Sequence, residues 1–181
     1  MFALTRRALF AAALFAASPA FAQEGVTNTL DLKTKYGDVV IKLLPDIAPN
    51  HVKQIQTLVA KHFYDGIVFH RVIPGFMAQT GDPTGTGAGG SDLPNLPLEA
   101  SSTPFKRGSV GMARSQDPDS ANSQFFICTG DAAFLNGNYT VFGEVVSGID
   151  AVDKLAHGTQ ENNGAVKKPD KIITLRFAAD Q

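Results

Sequence analysis

The sequence has no tryptophan and a single cysteine, Cys128, in 181 residues. One cysteine cannot close an intramolecular disulfide, and it rules out every cysteine-rich zinc pattern. Charge is also scarce and evenly split: 16 Lys and Arg against 17 Asp and Glu leave a formal net charge of −1. No basic run exceeds two residues, so a polycationic nucleic-acid binder is excluded and no nucleic-acid partner is expected. The histidines His51, His62, His70 and His157 form no i, i+3 or i, i+4 pair, and no metal site is expected from them. A serine-hydrolase G-x-S-x-G elbow is missing as well. Beyond the N-terminal segment, no apolar run approaches membrane-spanning length, and no stable membrane association is expected.

What remains is 44% hydrophobic with 17 Gly and 10 Pro, the composition of a compact, turn-rich domain and not of a disordered chain. The N-terminus is a separate matter. Arg6 and Arg7 precede an unbroken apolar run from Ala8 to Ala17, and Ala20-Phe21-Ala22 follows. A basic start, a short apolar stretch and an A-x-A site make a cleavable signal peptide of residues 1–22. The rival, a membrane anchor, fails on length: ten residues reach about 15 Å across a hydrocarbon core of roughly 30 Å. Sec and twin-arginine export both remain open. The expected mature chain is residues 23–181, one domain with a charge of −3, in the periplasm or secreted.

Alternation of Leu30, Leu32, Thr34 and Tyr36 with charged neighbours reads as a strand, turned at Gly37-Asp38 into a second strand over Val39 to Leu44. Val52, Ile55, Leu58 and Val59 carry helical spacing behind Pro49. Further strands are expected over Val68–Ile73, Ser109–Ala113, Gln124–Cys128, Thr140–Val146 and Ile173–Phe177. A short helix through Ile149, Val152 and Leu155 is expected to end at Gly158. Many strands, two helices and no βαβ rhythm point to an antiparallel barrel or sandwich with helices at its ends.

Gly85-Thr86-Gly87-Ala88-Gly89-Gly90 satisfies G-x-G-x-x-G, but Pro94 and Pro97 forbid the helix a dinucleotide site needs. It is a loop. Cys128, within an apolar strand, reads as a buried inert thiol. The stretch from Phe69 to Asp82 is more informative. In its strand Arg71 shares a face with Phe69 and Ile73, and His70 shares the other with Val68 and Val72. Both faces are apolar, and arginine is almost never fully buried unless paired. Arg71 is therefore either a core arginine satisfied by an acid or amide, or the lining of an apolar hollow. Gln124, within an aromatic strand, repeats the pattern and suggests a small pocket for an apolar ring flanked by peptide groups.

In order along the chain, F-H-R-V-I-P-G-F-M-A-Q-T-G-D (69–82), G-M-A-R (111–114), S-Q-F-F-I-C (123–128), F-L-N-G (134–137) and V-F-G (141–143) resemble the cyclophilin family of peptidyl-prolyl cis–trans isomerases. The resemblance runs from about Thr29 to Phe177. It implies a mainly β fold, a closed eight-stranded antiparallel barrel capped by two α-helices. It implies Arg71 as the catalytic residue and Gln79 as the residue that orients it. Phe76, Met77, Phe126 and Leu135 would form the proline pocket, Ala113, Arg114 and Gln124 the wall that meets the peptide backbone, and His70 and Tyr139 the rim. Phe134 stands where many eukaryotic relatives have Trp, which implies weak cyclosporin binding. Tyr139 replaces a common His and Arg114 a common Asn.

Such chemistry needs no nucleophile, metal or cofactor, because no covalent bond breaks. A donor aimed at the prolyl nitrogen binds the twisted state and not the planar one, which lowers the barrier to rotation. The expected partners are X–Pro segments of unfolded or flexible chains, the expected role is folding of exported proteins, and the expected state is a monomer. A non-catalytic proline-binding chaperone module using the same groove is the alternative.

Overall fold

The structure is a computed structural model that describes residues 28–159 and 161–178. The expected signal peptide lies outside the described residues. Strands β1 (Thr29–Thr34) and β2 (Gly37–Leu43) form the expected hairpin. Its turn falls earlier than the sequence suggested, on Lys35 and Tyr36, because Thr34 pairs directly with Gly37. Thr34 closes that turn with its own hydroxyl, which donates to Gly37 O and accepts from Tyr36 N at 2.9 and 3.1 Å.

Helix α1 (Pro49–Ala60) buries Val52, Ile55, Leu58 and Val59, the predicted stripe. Ala48, at its N-cap, has no side chain to satisfy the first N–H groups. Glu99 does so from a distance, accepting from Asn50 N and His51 N at 3.1 Å each. Among the described residues no helix is long and apolar enough to cross a membrane.

The remaining elements are β3 (Arg71–Ile73), β4 (Met77–Thr80), β5 (Ser109–Met112), β6 (Phe125–Cys128), β7 (Val141–Ser147), α2 (Ile149–Asp153) and β8 (Thr174–Phe177). Three expectations are corrected here. Strand β4 has no counterpart among the strands read from periodicity. Strand β3 is shorter than 68–73, and Phe69 and Val72 both enter the main core, so alternation slips between them. Helix α2 stops at Asp153, and Gly158 instead lies so close to Gly164 that a Cβ there would overlap its backbone.

The strands form one antiparallel sheet in the order β3-β4-β6-β5-β7-β2-β1-β8, curled into a half-barrel. It is open, not the closed barrel expected. The edge strands β3 and β8 do not pair with each other. Instead single bridges join Val68, before β3, and Arg71, at its start, to Lys171 and Ala165 in the segment before β8. The physical reason is local. Pro74 follows β3 directly, and Gly164 and Pro169 interrupt the segment before β8, so no continuous ladder forms there.

Val72, Ala78, Ile127 and Val110 are successive register partners across β3, β4, β6 and β5, and all belong to the main core. Side chains alternate between faces along a strand. The neighbouring row, Arg71, Gln79, Phe126 and Gly111, therefore faces away from that core. Beneath it sits a second, smaller cluster built on Met77, Phe105, Phe126, Cys128, Leu135 and Val141.

Candidate active site

That outward row carries the site. Arg71, Gln79 and Phe126 lie side by side because β3, β4 and β6 are in register at these positions. Gly111 completes the row without a side chain, which lets Phe105 and Phe126 stack with ring centroids 5.6 Å apart. A Cβ at Gly111 would stand 2.5 Å from Phe105 and 2.6 Å from Phe126. A cavity of about 130 Å³ opens above the row, lined by Arg71, Phe76, Met77, Gln79, Ala113, Arg114, Phe126, Leu135 and Tyr139. Leu135 is delivered by a single 3₁₀ turn, Ala133–Leu135.

Arg71 is half-buried and has no carboxylate partner among the described residues. Its Nε donates to Asn163 O at 2.9 Å and its Nη2 to Asn163 Oδ1 at 3.0 Å. Its Nη1 donates to Gln79 Oε1 at 3.4 Å and approaches the Met77 sulfur at 3.8 Å. Burial lowers the guanidinium below its ordinary value, yet arginine stays charged in proteins. Both readings left open for Arg71 thus hold at once. It is satisfied by amides, and it lines an apolar hollow.

Behind Arg71 runs a one-way chain of amides. Gln79 Nε2 donates to Gln124 Oε1 at 2.9 Å. Gln124 Nε2 then donates to Gly87 O at 3.0 Å and Gly89 O at 2.8 Å. Those carbonyls belong to the G-x-G-x-x-G segment, which is a loop wrapped around Asp82. Burial would raise the Asp82 carboxyl, but hydrogen bonds from the Thr84 hydroxyl and from the backbone of Thr84, Gly89 and Gly87 outweigh it and hold it at about 2.

On the opposite wall Arg114 acts as a staple. Its Nε and Nη2 donate to Asn138 O at 3.0 and 2.9 Å, and its Nη1 to Ser115 O at 2.8 Å. The guanidinium lies 4.6 Å from the centroid of Tyr139, whose ring meets Phe126 edge-on at 5.9 Å. Gln79, Ala113 and Arg114 also border a larger, polar cavity of about 570 Å³ that Gln124, Asn122, Ser91 and the Gly87–Gly90 backbone complete.

Three of the twelve site residues named from the sequence stand outside the smaller cavity. Gln124 lines the larger one. Phe134 is 69% exposed and packs on Phe76 at 5.2 Å between centroids. His70 lines neither cavity; its ring sits under Gly87 and its Nδ1 is buried without a hydrogen-bond partner among the described residues. Burial lowers His70 below its ordinary value, the Asp82 charge raises it and Arg71 lowers it further. Cys128 is buried beneath the site, and desolvation pushes its thiol up to about 12. Sequence reasoning missed Asn163 and the part Asp82 plays; the Asn163-Gly164 pair, a turn signal, was the one available pointer to the first.

A ring-sized hollow lined mostly by apolar and aromatic side chains, with a fixed arginine on its wall, has the size and chemistry to take a small apolar ring attached to a peptide. Comparison with known proteins gives the family. Residues 29–177 match the family described as cyclophilin type peptidyl-prolyl cis-trans isomerase/CLD. A probable peptidyl-prolyl cis-trans isomerase of Brucella suis is 55% identical, with 97% of each chain covered. Peptidyl-prolyl cis-trans isomerase A of Dickeya dadantii is 38% identical over 91% of this chain and 90% of that one. Among solved structures, a Cryptosporidium parvum cyclophilin type isomerase, determined in the presence of the dipeptide Ala-Pro, superposes with a TM-score of 0.77 at 28% identity. That match covers 84% of this chain and 99% of the other. The chain belongs to the cyclophilin-type peptidyl-prolyl cis–trans isomerase family, and isomerisation of X–Pro peptide bonds is its activity.

Proposed function

We propose that Arg71 is the catalytic donor of this isomerase, that the Phe76, Met77, Phe126 and Leu135 pocket holds the proline ring, and that the enzyme serves the folding of exported proteins. The observation that carries the site reading is Arg71 fixed by Asn163 and Gln79 on the wall of the smaller cavity, with no acid among the described residues to neutralise it.

Rotation about the X–Pro bond faces a barrier of roughly 18–20 kcal/mol. In the twisted state the prolyl nitrogen regains its lone pair. Nη2 spends one N–H on Asn163, and its second N–H is the donor for that lone pair. Such a bond forms only once resonance is broken, so it lowers the barrier without tightening the ground state. Bringing an exchange that takes tens to hundreds of seconds up to hundreds of turnovers per second requires about 6 kcal/mol. One aimed donor supplies roughly 3–4 of that; pocket binding and exclusion of water supply the rest.

Export rests on the leader pattern of residues 1–22, and the periplasm or the medium is the destination it supports. The substrates are X–Pro segments of unfolded or flexible chains, with the enzyme acting as a monomer and cyclosporin binding weakly. The test compares isomerisation rates of a short X–Pro peptide for the native enzyme and Arg71→Ala. A drop of about 10²–10³-fold in kcat/KM is expected, and equal rates would sink the Arg71 mechanism. The mass of the protein recovered from the periplasm decides export and cleavage after Ala22.

A further inference from the structure

We infer that Asn163 is the principal positioning residue for Arg71, ahead of Gln79, and that the described residues around it, 158–159 and 161–166, present it to the arginine. The inference rests on Arg71 being the catalytic donor.

Gln79 makes a single hydrogen bond to the guanidinium, and at 3.4 Å it is long for an N–H···O contact. Asn163 makes two, at 2.9 and 3.0 Å, and to two different nitrogens. One bond fixes where a planar fork sits. Two bonds along one edge also fix its rotation, and rotation decides whether the remaining Nη2 proton points at the prolyl nitrogen. Both acceptors are neutral, so the guanidinium is held without an ion pair drawing on its charge.

The geometry that achieves this is specific. Asn163 and Gly164 occupy consecutive left-handed conformations, with φ of +54° and +78°. Asparagine is among the few residues that adopt this region readily. In that conformation both the main-chain oxygen and the side-chain oxygen of one residue reach the same arginine. The segment is then locked to the strand that bears Arg71. Gly158 N donates to Val72 O, Val72 N to Gly164 O and Val166 N to His70 O, at 3.1, 2.9 and 3.0 Å. Within the segment, Gly164 N donates to Thr159 O at 2.8 Å and Thr159 N to Asn162 Oδ1 at 2.9 Å. Residues on both sides of Arg71 are thus pinned to the loop that orients it. Asn163 itself is exposed and belongs to neither core cluster, so its side chain contributes little else to the fold.

Asn163→Gly keeps the left-handed backbone and the Nε bond while removing Oδ1; Asn163→Asp keeps an acceptor at the same place. Isomerisation of an X–Pro peptide is measured by line-shape analysis for both variants, for Arg71→Ala and for the Arg71→Ala, Asn163→Gly double variant. Peptide affinity and thermal melting are recorded in parallel. Asn163→Gly is expected to lose about tenfold in kcat/KM, carried by kcat with peptide affinity unchanged. Asn163→Asp, which restores the acceptor but adds a charge that draws on the guanidinium, is expected to fall between Asn163→Gly and the native enzyme, and the glycine substitution to add nothing once Arg71 is gone. Native kcat for a folded Asn163→Gly, an equal loss in the Arg71→Ala background, or a loss lying wholly in affinity each overturns the inference. Native activity in Arg71→Ala is a separate result, which overturns the Arg71 mechanism itself.

Discussion

Arg71 and Gln79 are direct cross-strand partners, yet their side chains meet at 3.4 Å, whereas Gln79 holds Gln124 at 2.9 Å. Gln79 is thus tied more closely to the polar wall than to the arginine. Gln79→Ala is expected to lower kcat/KM by about three- to tenfold, well short of Arg71→Ala. It should also free Gln124 and weaken binding of longer peptides that reach the larger cavity. A loss as large as that of Arg71→Ala, measured on the same peptide, would contradict this ordering.

Asp82 is a buried carboxylate balanced by hydrogen bonds alone. Its folded value near 2 lies below the ordinary 3.8, so its stabilisation is complete above about pH 4 and disappears as pH falls to 2. The span corresponds to about 2 kcal/mol. Urea unfolding of the native protein and Asp82→Asn from pH 7 to pH 2 should show a gap of this size that closes toward pH 2. A constant gap would remove Asp82 from the account.

Gly111 is kept small by the two rings above it. Gly111→Ala should cost about 1–3 kcal/mol of stability through overpacking. Because Phe126 is one of the rings displaced, the affinity for X–Pro peptides should fall as well. Unchanged melting temperature and unchanged peptide affinity together would show that the rings yield freely.

Phe134 is exposed beside Phe76 and offers no hydrogen-bond donor. Phe134→Trp supplies an indole N–H at that place and should tighten cyclosporin binding by about tenfold, as read by titration calorimetry. Equal affinity for both forms would place the weakness elsewhere.

Much of the candidate site was legible because it is compact in sequence. Arg71, Phe76, Met77 and Gln79 belong to one short hairpin, so a single stretch of chain carries them. Strand β4 escaped periodicity because Met77, Ala78 and Thr80 are all buried and only Gln79 is partly exposed, so no wet face exists to alternate with. The position of His70 escaped for a related reason, since the slip between Phe69 and Val72 shifts which face each residue meets. The Asn163-Gly164 pair marks a turn but not its target: Asn163 is 92 residues from Arg71, and one of its two bonds to the guanidinium comes from a main-chain oxygen that any residue carries. The closed barrel implied by family likeness gave way to an open sheet because the closing segment is glycine- and proline-interrupted.

The open side of the sheet also governs how this protein meets other chains. An unpaired strand edge is a template on which a foreign extended chain can add itself. In β3 and just before it, the edge groups of His70 and Val72 are already engaged by Val166, Gly164 and Gly158. At this strand, therefore, extended polypeptide meets no free backbone ladder. Product release then means leaving a pocket, with no inter-chain sheet to peel apart, and co-aggregation with its own substrates has no seed on this strand.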